Sequence, residues 1–113
     1  MNIENYDFGE ITIDGKIYHH DVIIYKDKVD SSWLRAQGHD LAVNDLIEVL
    51  IKKPQILIIG TGESGVMRVS DKVIAEIEAK GIKVMASKTR EACDLYNQLA
   101  PVKDVIAALH LTC

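Results

Sequence analysis

The second half of the chain alternates short apolar runs with amphipathic segments, and this alternation is the feature that most constrains the fold. Apolar runs at residues 56–59, 82–86 and 105–111 have the length and composition of buried strands. Two segments between them carry apolar side chains at helical spacing, namely Val73, Ile74, Ile77, Ala92, Leu95, Tyr96 and Leu99. Strand–helix–strand order with short links implies right-handed crossovers. We therefore predict an α/β fold with a mostly parallel or mixed sheet.

Residue types at the segment ends predict where the helices begin and end. Ser70 and Thr89 are predicted N-caps, and Gly81 and Pro101 follow the two helices. An earlier helix is predicted from an N-cap at Asp40 to the residues before Pro54. Its apolar stripe consists of Val43, Leu46, Ile47, Leu50 and Ile51. We therefore expect three helices, with at least one of them covering a face of the sheet.

The N-terminal part of the chain has strand-like patterning. Asp14-Gly15 separates two apolar stretches, and this dipeptide favours the type I′ turn of a two-residue hairpin. We predict an N-terminal β-hairpin of residues 10–13 and 16–25, with a break or bulge near residues 19–21. Residues 26–39 lack a clear period and are predicted to form a long loop, with a short strand around residues 33–35 as an option.

Composition places the chain among ordinary globular proteins. With 113 residues it is predicted to form one domain over residues 1–113, and 48% of its residues are apolar. The net charge of −4 argues against nucleic acid or an anionic membrane as a partner. Residues 1–4 do not resemble a signal peptide, and no apolar run is long enough to span a membrane. Two cysteines are too few for a disulfide framework, so we predict a cytoplasmic protein.

Residues 60–65 read Gly-Thr-Gly-Glu-Ser-Gly, a literal G-x-G-x-x-G directly after a predicted strand. In dinucleotide-binding folds such a loop opens a helix and is followed by an acidic residue about 20 positions on. Here the next helix is predicted to begin only at Ser70, and the second strand is followed by Ser87 and Lys88. The pattern therefore favours glycines that let the chain turn away from the sheet, and we predict no cofactor.

A less specific ligand site is compatible with the same loop. The carboxyl ends of parallel strands meet at one sheet edge, where open α/β sheets bind ligands. The candidate ligand-binding residues at this edge are Gly60, Thr61, Gly62, Ser64, Gly65, Ser87, Lys88 and Thr89. Together with Arg90 they suit a small anion or polar metabolite, although Thr89 is equally explained as an N-cap. If the last strand is parallel too, His110 and Cys113 join this edge.

A second candidate site lies in the long loop. Trp33 and Arg35 are two residues apart, so both project from one face of an extended segment. With His39 they suit a protein-recognition surface, because Trp and Arg are enriched in interface hot spots. The alternative, which we favour slightly, is that Trp33 packs inside with Arg35 extended across it.

The remaining polar residues predict neither a metal site nor a catalytic site. His19 and His20 are adjacent in a strand and point to opposite faces, without a ligand partner at suitable spacing. His110 and Cys113 do not supply the four ligands of a structural zinc site. A Cys–His pair of these two residues would require a parallel last strand. We therefore name no catalytic residue and lean against an enzyme.

Several short motifs occur in an order that resembles a known family. They are Phe8-Gly9, Tyr18-x-x-Asp21, Trp33-x-Arg35, Gly38-His39, the run from Ile56 to Gly62, Gly81-Ile82-x-Val84, Thr89-x-x-Ala92, Tyr96-Asn97-x-Leu99 and His110-x-Thr112-Cys113. Together they resemble, over essentially the whole chain, the small α/β domain family first described from a methanogen protein of unknown function. Its animal relatives include an adipogenesis-associated domain protein and a mitochondrial complex I assembly factor.

The resemblance implies a fold but no reaction. It implies a compact three-layer α/β domain with a mixed central sheet and an added β-hairpin, and no established enzymatic activity. Its recurring positions are Trp33, Arg35, Gly60, Gly62, Thr89, Asn97 and Thr112, none with an assigned role. Two hypotheses follow: a protein-interaction or assembly module that forms homo-oligomers or binds a protein partner, and a domain or minor enzyme that binds a small molecule or anion at residues 60–65.

Overall fold

Three strands from the second half of the chain lie side by side and parallel. Their alternation with helices predicted a mostly parallel or mixed sheet but did not fix the direction of the last strand. The computed structural model describes residues 1–113. Its strands are β1 (Ile3–Asp7), β2 (Glu10–Ile13), β3 (Lys16–Tyr18), β4 (Val22–Ile24), β5 (Val29–Asp30), β6 (Ile56–Gly60), β7 (Lys83–Ser87) and β8 (Val105–Leu109). Its helices are α1 (Ile47–Lys52), α2 (Asp71–Glu78) and α3 (Thr89–Leu99), with a 3₁₀ turn at Val43–Leu46 directly before α1.

The central sheet is mixed and has the order β5-β4-β8-β6-β7. Strand β6 pairs in parallel with both β7 and β8 over all five of its residues. Strand β4 pairs antiparallel with β8 and with β5. The last strand is therefore parallel to β6, and the carboxyl ends of β6, β7 and β8 meet at one edge.

The predicted N-terminal hairpin is present and forms part of a second, three-stranded sheet. Strands β2 and β3 pair antiparallel around Asp14-Gly15, and both turn residues have positive φ. The predicted break near residues 19–21 is the point where the chain passes from this sheet to the central one. The sequence pattern missed β1, which pairs antiparallel with β2.

Two apolar clusters cover opposite faces of the central sheet and produce the three-layer architecture that the resemblance implied. One face packs against α3 and the three-stranded sheet, with Ile11, Ile58 and Tyr96 all buried. The other face packs against α1, α2 and the long loop, with Leu57 and Ile77 buried. Alternate residues of the central strands point to alternate faces. Strands β6 and β8 are therefore buried on both sides and read as continuous apolar runs.

The helix starts were predicted with mixed success. Ser70 caps α2 as expected, since its Oγ accepts a hydrogen bond from the Val73 N–H at 3.2 Å. Asp40 does not cap α1; its main chain bridges instead to residues 37 and 68. The start of this helical segment is fixed by Asp45, whose carboxylate accepts the N–H groups of Ala36 and Ala42. A carboxylate three residues into the segment, reaching back to the preceding N–H, has replaced the expected cap.

Candidate functional site

The glycine-rich loop at residues 60–65, the turn at residues 87–89 and the segment at residues 110–113 lie together at the carboxyl edge of the parallel strands. The His110 N–H donates to the Gly60 carbonyl at 3.0 Å, and the Thr89 N–H donates to the Gly62 carbonyl at 3.2 Å. The parallel direction of β8 thus brings His110 and Cys113 to this edge. The structure therefore places the predicted ligand-binding residues close to one another.

The crevice at this edge is filled by the chain itself. The N–H groups of Glu63 and Val66 donate to the carbonyls of Thr112 and Cys113 at 2.7 and 3.0 Å. Gly62 has φ of +106°, and a Cβ placed there would overlap the carbonyl carbon of Cys113. The absence of a side chain at Gly62 therefore admits residues 110–113 rather than leaving room for a ligand.

Thr89 serves a structural role that differs from the predicted N-cap. It is the first residue of α3, and Lys88 occupies the cap position without a side-chain cap bond. The Thr89 hydroxyl is buried, donates to the His110 carbonyl at 2.6 Å and accepts the Gly62 N–H at 2.9 Å. The prediction of a cap was wrong because this hydroxyl faces the sheet edge, where it joins two loops.

The other candidate ligand-binding residues are divided between internal contacts and solvent. Thr61 donates through its N–H and its hydroxyl to the Ser87 carbonyl, at 2.9 and 3.1 Å. The Gly65 N–H donates to Gly62, while Ser64 and Lys88 are exposed. Most N–H groups of the loop are therefore already paired within the chain. An anion at this edge would find mainly the Ser64 hydroxyl and the Lys88 ammonium.

A buried polar network beside this edge was not predicted from the sequence. Asp21 Oδ2 lies 2.8 Å from His110 Nδ1 and 2.9 Å from Arg35 Nη1, and Oδ1 accepts the Leu111 N–H at 2.7 Å. The side chains of Arg35, His110 and Asp21 are 5%, 7% and 17% exposed. This network joins the long loop, the start of β4 and the end of β8. Asp21 forms part of the Tyr18-x-x-Asp21 motif, but nothing in its local sequence indicates a buried charge.

The hydrogen bonds of this network indicate which ring nitrogen of His110 carries a proton and in which direction the pKa of Asp21 is shifted. Arg35 Nη2 also lies 3.1 Å from His110 Nδ1, but one nitrogen cannot both donate to a carboxylate and accept from a guanidinium. Because hydrogen bonds to ionised groups are the stronger ones, we assign the proton to Nδ1, donating to Asp21. His110 Nε2 is then buried without a hydrogen-bond partner. Burial by itself would raise the pKa of Asp21, but hydrogen bonds from His110, Leu111 and Arg35 outweigh it and lower that pKa.

The lowered pKa of Asp21 predicts a loss of stability in acid. A carboxyl group whose folded pKa lies below its usual value of 3.8 stabilises the fold at neutral pH. That contribution disappears as the pH falls below about 4 and through the folded pKa. Urea unfolding at a series of pH values is therefore expected to show a smaller acid-dependent loss for Asp21→Asn than for the unsubstituted protein. If the free energy of unfolding changed equally with pH in the two proteins, the lowered pKa of Asp21 would be contradicted.

The predicted recognition surface in the long loop is mostly internal. Trp33 is 6% exposed, and its Nε1 donates to the Asp45 carbonyl at 2.9 Å. The Arg35 guanidinium lies 4.7 Å from the Trp33 ring, so the two side chains share one face as their spacing predicted. Of the three residues only His39 is exposed, with its ring centroid 6.0 Å from that of His110. The alternative of an internally packed Trp33 describes this geometry better than a surface Trp33 does.

The cysteines do not form a disulfide. Cys93 is buried on α3, and burial raises the pKa of its thiol to about 12, so this thiol is protonated at neutral pH. Cys113 is exposed.

The structure contains no group of three or more His, Cys, Asp or Glu side chains placed to hold a metal ion. None of the helices combines the length and hydrophobicity that crossing a membrane requires.

Comparison with known proteins identifies relatives of similar length. The family described as "Protein of unknown function (DUF498/DUF598)" matches residues 3–110. Conserved hypothetical protein PH1505 from Pyrococcus horikoshii OT3 is 28% identical, with a TM-score of 0.87 and full coverage of both chains. The methanogen protein MT938 is 25% identical, with a TM-score of 0.78 and coverage of 99% of this chain and 98% of its own. The resemblance to the methanogen family is thereby confirmed.

A third structure, described as an outer membrane protein from Bartonella henselae, has a TM-score of 0.82 at 21% identity. It covers 98% of this chain and 94% of its own, and at this identity the similarity concerns the fold. No curated protein matches the chain.

Proposed function

The chain belongs to the DUF498/DUF598 family of proteins of unknown function, and we propose that it acts as a protein-interaction or assembly module. The observation that carries this proposal is an exposed apolar face on α1. Ile47 and Ile51 are 60% and 77% exposed and are four residues apart, so they lie on one side of the helix. Exposed apolar side chains that lie side by side form a patch that another protein can cover.

The geometry of the carboxyl edge also favours a protein partner over a small anion. Anion sites at such edges depend on free backbone N–H groups that converge on the ligand. Here the N–H groups of Gly62, Glu63, Gly65 and Val66 all donate within the chain. We therefore do not adopt the ligand-binding hypothesis for residues 60–65.

The chemistry around α1 describes the partner that would fit. Glu48 on the same helix is paired with Lys28 at 2.8 Å, which neutralises both charges beside the apolar residues. A partner with an apolar, uncharged patch is therefore the best match for this face.

We also propose a cytoplasmic location, because both cysteines are free and a reducing compartment keeps them so.

The test is site-specific photo-cross-linking in cells of the source organism. A photo-reactive residue at Ile51 is expected to give a discrete adduct with a protein, and the same residue at Glu76, exposed on α2, serves as the control. The adduct should disappear when Ile47→Lys is added, while the melting temperature stays within a few degrees because both positions are exposed. Equal labelling from positions 51 and 76 would overturn the proposal.

A further inference from the structure

Strand β7 ends the central sheet, and one side of its backbone has no strand partner. The Lys83 N–H donates to Gln55, and the Ser87 carbonyl accepts from Thr61, so these alternate residues face β6. Because successive residues of a strand direct their backbone groups to opposite sides, those of Val84 and Ala86 face outward. The only hydrogen bond found for these outward groups is from the Val84 N–H to the exposed carboxylate of Glu78, at 3.2 Å. This edge is therefore open to another strand.

We infer that the outer edge of β7 pairs antiparallel with β7 of a second copy of this chain, around a two-fold axis. This inference goes beyond the proposed function, because it concerns a different surface of the molecule. Val84 of each copy would lie opposite Ala86 of the other, and the two would exchange both backbone hydrogen bonds. Met85 would then face its own counterpart on the axis, and the central sheets would join into one of ten strands.

Charge complementarity selects the second copy as the partner. Lys83, Met85 and Ser87 lie on the face of β7 that α3 covers, since alternate residues share a face and Met85 packs in the α3 cluster. Beside Ser87, a groove is lined by Ser87, Glu91, Asp94, Leu95 and Gln98. In the proposed register Lys83 of one copy lies opposite Ser87 of the other. Its ammonium would therefore enter a groove that carries two carboxylates, and the two-fold axis repeats this contact.

Alternative registers leave part of β7 unpaired. Centring the pair on Val84 would instead place Lys83 opposite Met85 and leave Ser87 beyond the paired region. Only the register centred on Met85 pairs all five residues of β7, and it sets no like charges opposite each other.

Pairing of the two β7 strands requires one existing hydrogen bond to break. Glu78 must release the Val84 N–H before the second copy can bind it. The variant Glu78→Ala removes this competitor without touching the paired strand. We therefore expect Glu78→Ala to strengthen association rather than weaken it.

The experiment measures molar mass by light scattering and sedimentation over a wide concentration range. The unsubstituted protein is expected to form dimers of twice 12.6 kDa. Ala86→Pro removes an outward N–H that has no partner within the chain, so the fold should persist while the dissociation constant rises roughly tenfold or more. The matched control Ala86→Ser keeps the N–H and should leave the dissociation constant within a few-fold of that of the unsubstituted protein.

A charge exchange tests the register. Lys83→Glu should weaken the dimer, and the triple variant Lys83→Glu, Glu91→Lys, Asp94→Lys should restore it. A monomer at every concentration, or a dimer indifferent to both Ala86→Pro and Lys83→Glu, would overturn the inference. Neither result would touch the proposed function, which is tested by cross-linking at Ile51 on another face of the molecule.

Discussion

Gly62→Ala is expected to lower the free energy of unfolding by roughly 3 kcal/mol or more, because two unfavourable terms combine at this position. The φ of +106° is a conformation that side chains rarely adopt. The new methyl group would also overlap the Cys113 main chain and crowd His110 Cδ2 at 2.9 Å. Thermal unfolding should show a fall in melting temperature on the order of 10 °C.

Substitutions at two other glycines distinguish the effect of backbone strain from that of steric overlap. Gly15 has φ of +80° with open space around it, so Gly15→Ala measures conformational strain alone, about 1 kcal/mol. Gly38 has neither a positive φ nor a close neighbour, so Gly38→Ala should be almost neutral. A Gly62→Ala variant no less stable than Gly15→Ala would show that residues 110–113 do not fill the crevice in solution. Gly62 substitutions therefore test folding, and Lys88→Ala is the better probe of anion binding.

Asp21→Ala is expected to destabilise the protein by about 3–5 kcal/mol, the usual cost of leaving a buried charge without its partner. The variant removes the counter-ion of Arg35, whose side chain is only 5% exposed. It also removes the acceptors of His110 and of the Leu111 N–H. Urea unfolding should show a clear fall in midpoint with little change in slope, because the surface exposed on unfolding is almost unchanged.

Companion variants identify which part of the network produces this loss. Asp21→Asn keeps an acceptor for Leu111 and should be less damaging than Asp21→Ala. Adding Arg35→Met to Asp21→Ala should recover part of the loss, because the unpaired charge is then removed along with its partner. If Arg35→Met makes the Asp21→Ala protein still less stable, the loss arises from packing rather than from a stranded guanidinium.

The elements that the sequence predicted well are those with uninterrupted local patterns. Strands β6 and β8 are apolar throughout, so their burial followed from composition alone. Strand β1 was missed because its pairing register shifts between Ile3 and Asn5, and the irregularity lets both Ile3 and Tyr6 point inward. The expected alternation is lost at such an irregularity. The direction of β8 was left open because a short link after α3 does not by itself fix it.

The candidate site was harder to predict because its residues meet only in the folded chain. Asp21 and His110 are 89 residues apart in sequence, and Arg35 is 75 residues from His110. Each is a common polar residue with no motif around it that specifies burial or a partner. The glycine-rich loop was correctly placed at the sheet edge, but a sequence pattern cannot reveal that residues 110–113 return to fill the same space.

The return of residues 110–113 has a consequence for how the protein is made. Leu111 accepts hydrogen bonds from the Gly9 N–H and the Tyr6 hydroxyl and donates to Asp21, so β1 and the turn after it depend on a residue 105 positions after Tyr6. On the ribosome, the three-stranded sheet and β4 must wait for β8 and the residues after it before they find their partners. Such distant pairings form slowly, and the waiting strands expose apolar surface meanwhile. The nascent chain is therefore most vulnerable to aggregation until Leu111 has left the ribosome and can reach its partners.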